Sequence, residues 1–207
     1  MKIKICGLRR PEDIAYANEA APDFVGFILS PGFRRSIDAD TARELKAKLG
    51  PGIPAIGVFV NDTPERIAQL LKEGVIDAAQ LHGQESEEDI MYIKAATGRP
   101  VIKAVKVENR YAVEAWLDSA ADYLLLDSGT GTGKTFDWTI LDELLADYGG
   151  ELPKQFFLAG GLNADNLREA ATRWRPYAVD LSSSVETDGV KDLDKMRNAV
   201  QIVRELG

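Results

Sequence analysis

The 207-residue chain has one cysteine and one histidine, too few for an internal disulfide or a structural zinc set, and the sequence assigns no metal. Positive charge is in the minority. Against 33 Asp and Glu stand 25 Lys and Arg, a net charge of −8, and such a surface repels phosphodiester backbones and anionic headgroups. Nucleic-acid and membrane partners are therefore not expected, and any phosphate must be held by a local site. No run approaches the roughly 18 apolar residues of a membrane span, and residues 1–10 lack a signal-type apolar core. A reducing, cytoplasmic setting is the expectation. With 18 glycines and 9 prolines the chain is neither collagen-like nor of low complexity.

What is present is alternation. Eight short β-rich runs, at 2–6, 23–29, 54–60, 78–81, 101–105, 123–127, 156–159 and 178–181, recur about every 25 residues, each with the length and composition of a buried strand. Between and after them lie amphipathic segments at 11–20, 38–49, 64–73, 86–96, 110–117, 139–146, 164–173 and 191–206. Thr63 before Pro64, Ser86 with Asp89, and Asn163 read as helix N-caps. Strict β-α alternation requires parallel strands covered by helices. Eight such units closing on themselves predict an α/β fold, a single-domain (β/α)8 barrel over 1–207, at the short end of that fold's range; the competitor is an open doubly wound sheet.

Barrel chemistry gathers at the C-terminal ends of the strands. On the first strand Lys2, Lys4 and Cys6 alternate with Ile3 and Ile5, so the apolar face meets the helices and Cys6 points into the mouth. Arg9 and Arg10 follow it and are expected to favour the thiolate, a nucleophile or base. Asp127 ends the apolar run Tyr123-Leu124-Leu125-Leu126, a position that favours a protonated carboxyl and hence an acid. His82, the lone histidine, closes the fourth strand as a substrate contact, a proton-transfer group or a hydrogen-bonded structural residue. Arg34 and Arg35 follow the second strand and Asn61 the third. Trp116, Trp138 and Trp174 read as packing residues.

Residues 128–135, Ser-Gly-Thr-Gly-Thr-Gly-Lys-Thr, imitate a P-loop but lack its first glycine and do not open directly into a helix; a dinucleotide fingerprint fails as well. They are expected to form a mobile active-site loop. A better phosphate site combines Gly160 and Gly161 after strand seven with Ser182, Ser183 and Ser184 after strand eight, where amides and hydroxyls supply neutral donors and 185–188 offers a short helical turn.

Lys4-Ile5-Cys6-Gly7, Gly57-Val58-Phe59-Val60-Asn61, Gln80-Leu81-His82-Gly83, Asp127 with residues 133–138 (Gly-Lys-Thr-Phe-Asp-Trp), Ala159-Gly160-Gly161-Leu162 and Val179-Asp180-Leu181-Ser182-Ser183 run the length of the chain in one order, and together they resemble the phosphoribosylanthranilate isomerases. The resemblance implies a (β/α)8 enzyme of tryptophan biosynthesis that rearranges N-(5-phosphoribosyl)anthranilate to 1-(2-carboxyphenylamino)-1-deoxyribulose 5-phosphate without a cofactor. By the same resemblance Asp127 is the general acid that opens the furanose ring and Cys6 the general base that removes the C2 proton. Arg35 then meets the anthranilate carboxylate, with Arg34 its neighbour and rival; Asp180 and His82 contact the substrate, and Gly160, Gly161, Ser182 and Ser183 hold its phosphate. A monomer or homodimer is expected. Departures from the family pattern fall at Thr130, Ser184 and the Asp188-Gly189 pair. The alternatives are a related phosphosugar barrel of histidine biosynthesis, which typically has an aspartate where Cys6 stands, and a non-catalytic barrel that binds a phosphometabolite.

Overall fold

The computed structural model describes residues 1–128 and 137–206. Eight parallel strands close into one ring in sequence order: β1 (Lys2–Cys6), β2 (Phe24–Ile28), β3 (Ala55–Phe59), β4 (Ala78–Leu81), β5 (Val101–Lys106), β6 (Tyr123–Asp127), β7 (Phe156–Leu158) and β8 (Ala178–Leu181). Closure is made by β1 on β8, with Lys4 opposite Asp180. The helices are α1 (Pro11–Ala20), α2 (Ala39–Lys46), α3 (Pro64–Lys72), α4 (Glu87–Thr97), α5 (Arg110–Glu114), α6 (Thr139–Asp147), α7 (Leu167–Trp174) and α8 (Leu193–Arg204). The chain is thus a (β/α)8 barrel, and the open sheet is excluded.

Local chemistry explains most boundaries. Thr63 Oγ1 accepts from Arg66 N ahead of Pro64, and Ser86 with Asp89 forms a reciprocal capping box, satisfying amides that the first turn leaves open. Asn163 differs from its expected role: its Oδ1 accepts from the amides of Asp165 and Asn166, so it closes a turn, and α7 begins only at Leu167. An Asn side chain competes with the helix ladder in this way whenever the turn is nearer than the helix.

One device recurs at the N-terminal rim. Asp23, Asp77 and Asp122 each precede an even-numbered strand and accept from the first free amide of the odd strand beside it, Ile3, Ala55 and Val101, at 2.8–2.9 Å. The same three carboxylates pair with Arg204, Lys46 and Lys94 on the helical layer. Each therefore ties two neighbouring strands to a helix, at the face where a barrel carries stability rather than chemistry.

The strand alternation creates two apolar regions. Ile3, Ile5, Val25, Phe27, Leu124 and Leu126 face outward against the helices, while Ile56, Ala78, Ile102, Leu125, Phe157 and Ala178 fill the barrel, backed by Phe24, Tyr123 and Tyr177. Above this plug the interior turns polar. After β8 the chain makes a short 3-10 turn over Ser183–Val185 and then an antiparallel hairpin, β9 (Glu186–Thr187) with β10 (Val190–Lys191). The helical turn expected at 185–188 is therefore displaced toward Ser183, because the hairpin claims the later residues.

Candidate active site

The site begins on β1. Its inward face carries Lys4 and Cys6 as the alternation predicts, Lys4 fully buried and Cys6 nearly so. A buried ammonium needs a partner, and ring closure supplies one: Lys4 Nζ donates to Asp180 Oδ2 at 2.8 Å. Cys6 is the next inward residue on the same strand, and the ammonium acts on its thiol, favouring the thiolate. Space for the sulfur comes from Gly26 on β2, where an added Cβ would stand 2.7 Å from Cys6 Sγ. A glycine inside a strand is the sequence mark of such close approach.

Arg9 and Arg10 do not serve the thiol, contrary to expectation. Arg10 is held by Asp13 in the first turn of α1, and Arg9 donates to the carbonyls of Arg34 and Gly189. Burial pushes the thiol pKa up, Lys4 offsets part of that rise, Asp180 adds to it, and Lys191 lowers it, for a net upward shift. The expected depression is thus reversed, because desolvation of a thiolate outweighs the cations near it. Burial also raises Asp180, a rise that Lys4 opposes and Asp127 reinforces.

On the far side of the mouth Asp127 Oδ2 stands 3.3 Å from His82 Nε2, and Gln80 Nε2 lies 2.9 Å from His82 Nδ1. With the Gln80 amide donating to Nδ1, the neutral imidazole carries its proton on Nε2, toward Asp127. Gly160 packs against Asp127: a Cβ there would meet Ser128 N at 2.6 Å and Asp127 Oδ1 at 2.9 Å, and its φ of +80° suits glycine. Gly160 thereby makes room for Asp127, a role separate from the phosphate contact expected of it.

The loops after β2 and β8, which flank β1, meet in an ion cluster in which sequence reasoning had named the arginines but missed Glu186 and Lys191. Glu186 Oε1 accepts from Arg35 Nε at 2.6 Å and Lys191 Nζ at 3.0 Å, while Oε2 accepts from Arg34 Nη2 at 2.6 Å and Arg35 Nη2 at 3.1 Å. Burial would raise the Glu186 carboxyl, but Arg35, Arg34 and Lys191 outweigh it and hold its pKa down at about 2. Arg35 lies across Gly7, where a Cβ would stand 2.5 Å from its Cδ, and is the inner of the pair; Arg34 is half exposed. That geometry favours Arg35 over Arg34 at the mouth. Lys191 also donates to the Ser182 carbonyl.

The two expected phosphate loops are neighbours through β7 and β8. Gly160 and Gly161 both hold positive φ, and the Gly161 carbonyl is fixed by Asn166. Ser182 Oγ donates to the Cys6 carbonyl, so this hydroxyl also braces β1. Ser183 opens the 3-10 turn, and the buried Ser184 Oγ has no hydrogen-bond partner among the described residues. Residues 129–136, most of the expected mobile loop and part of the strand-six motif, lie outside the described residues. Asn61, with φ +53°, bridges to Gln84 and Glu85 and acts as a loop brace. The three tryptophans pack as expected, Trp138 on Trp174 and Trp116 beneath Lys103.

Comparison with known proteins places this geometry in context. A family model described as N-(5'phosphoribosyl)anthranilate (PRA) isomerase matches residues 3–202. A protein of Endomicrobium trichonymphae named N-(5'-phosphoribosyl)anthranilate isomerase is 44% identical, with 99% of each chain covered. The crystal structure of phosphoribosyl anthranilate isomerase from Thermus thermophilus superposes over all of both chains at TM-score 0.88 and 37% identity. Another, of phosphoribosyl anthranilate isomerase in complex with reduced 1-(o-carboxyphenylamino)-1-deoxyribulose 5-phosphate, matches over 99% of both at TM-score 0.85 and 35% identity.

Proposed function

The chain belongs to the N-(5'-phosphoribosyl)anthranilate isomerase family, and from that premise we propose that it catalyses the Amadori rearrangement of N-(5'-phosphoribosyl)anthranilate in tryptophan biosynthesis, as a cytoplasmic enzyme with 1–207 as one catalytic domain. The observation that carries the assignment of roles is the mouth itself. Cys6 from β1 and Asp127 from β6 stand on either side of Asp180, whose charge acts on both.

Asp127 gives its proton to the furanose ring oxygen, which breaks the C1–O bond and leaves a Schiff base. Cys6, as thiolate, takes the proton from C2, and the resulting enolamine tautomerises to the ketone. The chemistry needs one group protonated and the other deprotonated at the same pH, which explains the pairing of a carboxyl with a thiol. Arg35 meets the anthranilate carboxylate from its place against Gly7. Part of its fork is engaged by Glu186, which fixes the guanidinium plane. The phosphate is held by Gly160, Gly161, Ser182 and Ser183, with the Ser184 hydroxyl, which has no partner among the described residues, beside them. Asp180 and His82 contact the sugar near the reacting carbons.

The test follows loss of anthranilate fluorescence as purified protein meets freshly made substrate with chelator present. Wild type is expected to turn over, and Cys6→Ala and Asp127→Asn to lose activity by a factor on the order of 10³ or more. Because the acid must stay protonated while the thiol ionises, kcat/KM is expected to trace a bell against pH, with an alkaline limb displaced upward because burial raises the thiol pKa. No turnover by folded wild type would overturn the reading; full activity in either variant would remove that residue from its role.

A further inference from the structure

We propose that Lys4 is a positioning residue for this reaction: its ammonium, sealed inside the barrel one inward step below Cys6 and tied to Asp180, supplies the counter-charge that the Cys6 thiolate needs. The inference rests on the reading of Cys6 as the base and extends it to a residue outside the acid/base pair.

The geometry carries it. Lys4 is fully buried on the strand face that ends in Cys6, the next inward residue, and its Nζ donates to Asp180 Oδ2 at 2.8 Å. An ammonium has three donors, so it can hold the carboxylate and the sulfur together. Asp180 Oδ1 has no partner among the described residues, which leaves the carboxylate bound to the site mainly through Lys4. A thiolate formed here is desolvated, and its stability depends on the cations that face it. From its own strand that cation is Lys4; from β10 it is Lys191, whose Nζ is already engaged by Glu186 and the Ser182 carbonyl. Asp180 faces the thiol from β8 with the opposite sign. Asp127 on β6 and His82 beyond β4 face Asp180. Arg9 and Arg10 are turned to other partners. Among the described residues Lys4 is therefore the cation left to face the sulfur, and when Cys6 accepts the C2 proton the ammonium returns its full interaction to Asp180.

Cys6 is the one cysteine of the chain, so its ionisation is read without interference, by thiolate absorbance near 240 nm against a Cys6→Ser blank. In Lys4→Met the titration midpoint is expected to rise by at least one pH unit, and iodoacetamide alkylation at pH 7 to slow about tenfold. In the same variant kcat/KM falls about tenfold at pH 7 and the alkaline limb of its profile moves up with the thiol, while KM stays within twofold. Asp180→Asn has the opposite sign: with the competing carboxylate neutralised, the midpoint falls below wild type. This second variant keeps the ammonium buried and tests the same coupling should Lys4→Met not fold. A midpoint unmoved in either folded variant overturns the proposal. Shifted midpoints in a wild-type protein that turns over no substrate would leave the Lys4–Cys6 coupling standing and overturn the assigned reaction instead.

Discussion

At the N-terminal end of the barrel interior Phe24, Tyr123, Phe157 and Tyr177 pack ring against ring at centroid distances of 4.7–6.4 Å. Four residues further along β6 Asp127 stands above Tyr123, and on other strands of the ring Cys6 stands four residues above Lys2 and His82 four above Ala78. The plug is stabilised by contact area and asks only that volume be conserved. The mouth buries Lys4 and Lys191, exposes little of Asp180, and leaves Gln80 Oε1, Asp180 Oδ1 and Ser184 Oγ without partners among the described residues. Such groups cost stability where they stand. A fold that keeps them at one end and a dry plug at the other separates the part that holds the ring closed from the part that handles substrate.

The sharpest way to break the comparison is from below. Phe157→Ala removes the ring in contact with Phe24, Tyr123 and Tyr177 and is expected to cost about 3–5 kcal/mol of stability. Urea unfolding measures that loss, while kcat of the folded fraction stays near wild type; a large fall in kcat would show that the two ends are coupled. Gly160→Ala reverses the pattern. Its Cβ collides with the backbone of Ser128 and with Asp127 Oδ1, so activity is expected to fall about a hundredfold, roughly 2.7 kcal/mol, by displacement of the acid, with far-UV circular dichroism unchanged.

Glu186→Gln sits between the two, at the mouth but structural in effect. Its carboxylate pKa is lowered by Arg35 and Arg34, so the stability it contributes is present above the unfolded value of 4.5 and is lost as pH falls toward about 2. The variant is expected to be about 2 kcal/mol less stable than wild type at pH 7. The two unfolding curves should then converge as pH drops from 4.5 toward 2. A constant gap across that window would show that packing, and not the ion cluster, accounts for the loss.

Much of this was legible in advance. Period-2 alternation in Lys2–Cys6 and the apolar run into Asp127 placed both proposed catalytic groups at the barrel mouth, since a strand's two faces are dictated by residue order. The Gly26 and Gly160 contacts had a trace in the sequence, as glycines inside or just after a strand. Lys4 had one too: a lysine on an inward face must find a charge partner. The error was to assign the cations nearest in sequence, Arg9 and Arg10, to the thiol. Glu186 carried no local signal, because its arginine partners lie some 150 residues away on the loop after β2, and Lys191 is drawn in through Glu186 once the hairpin forms.

Residue order by itself determined the period of the elements, the inward face of each strand and the identity of the groups delivered at the strand ends. Tertiary structure alone decided which charges those groups meet. Closure of β1 on β8 brings Asp180 to Lys4 across 176 residues, and burial in that closed ring turns the Cys6 thiol upward in pKa where its sequence neighbours had suggested the reverse. The physical reason is that backbone periodicity is a local property, whereas desolvation and Coulombic interaction depend on distances that exist only once the ring has closed.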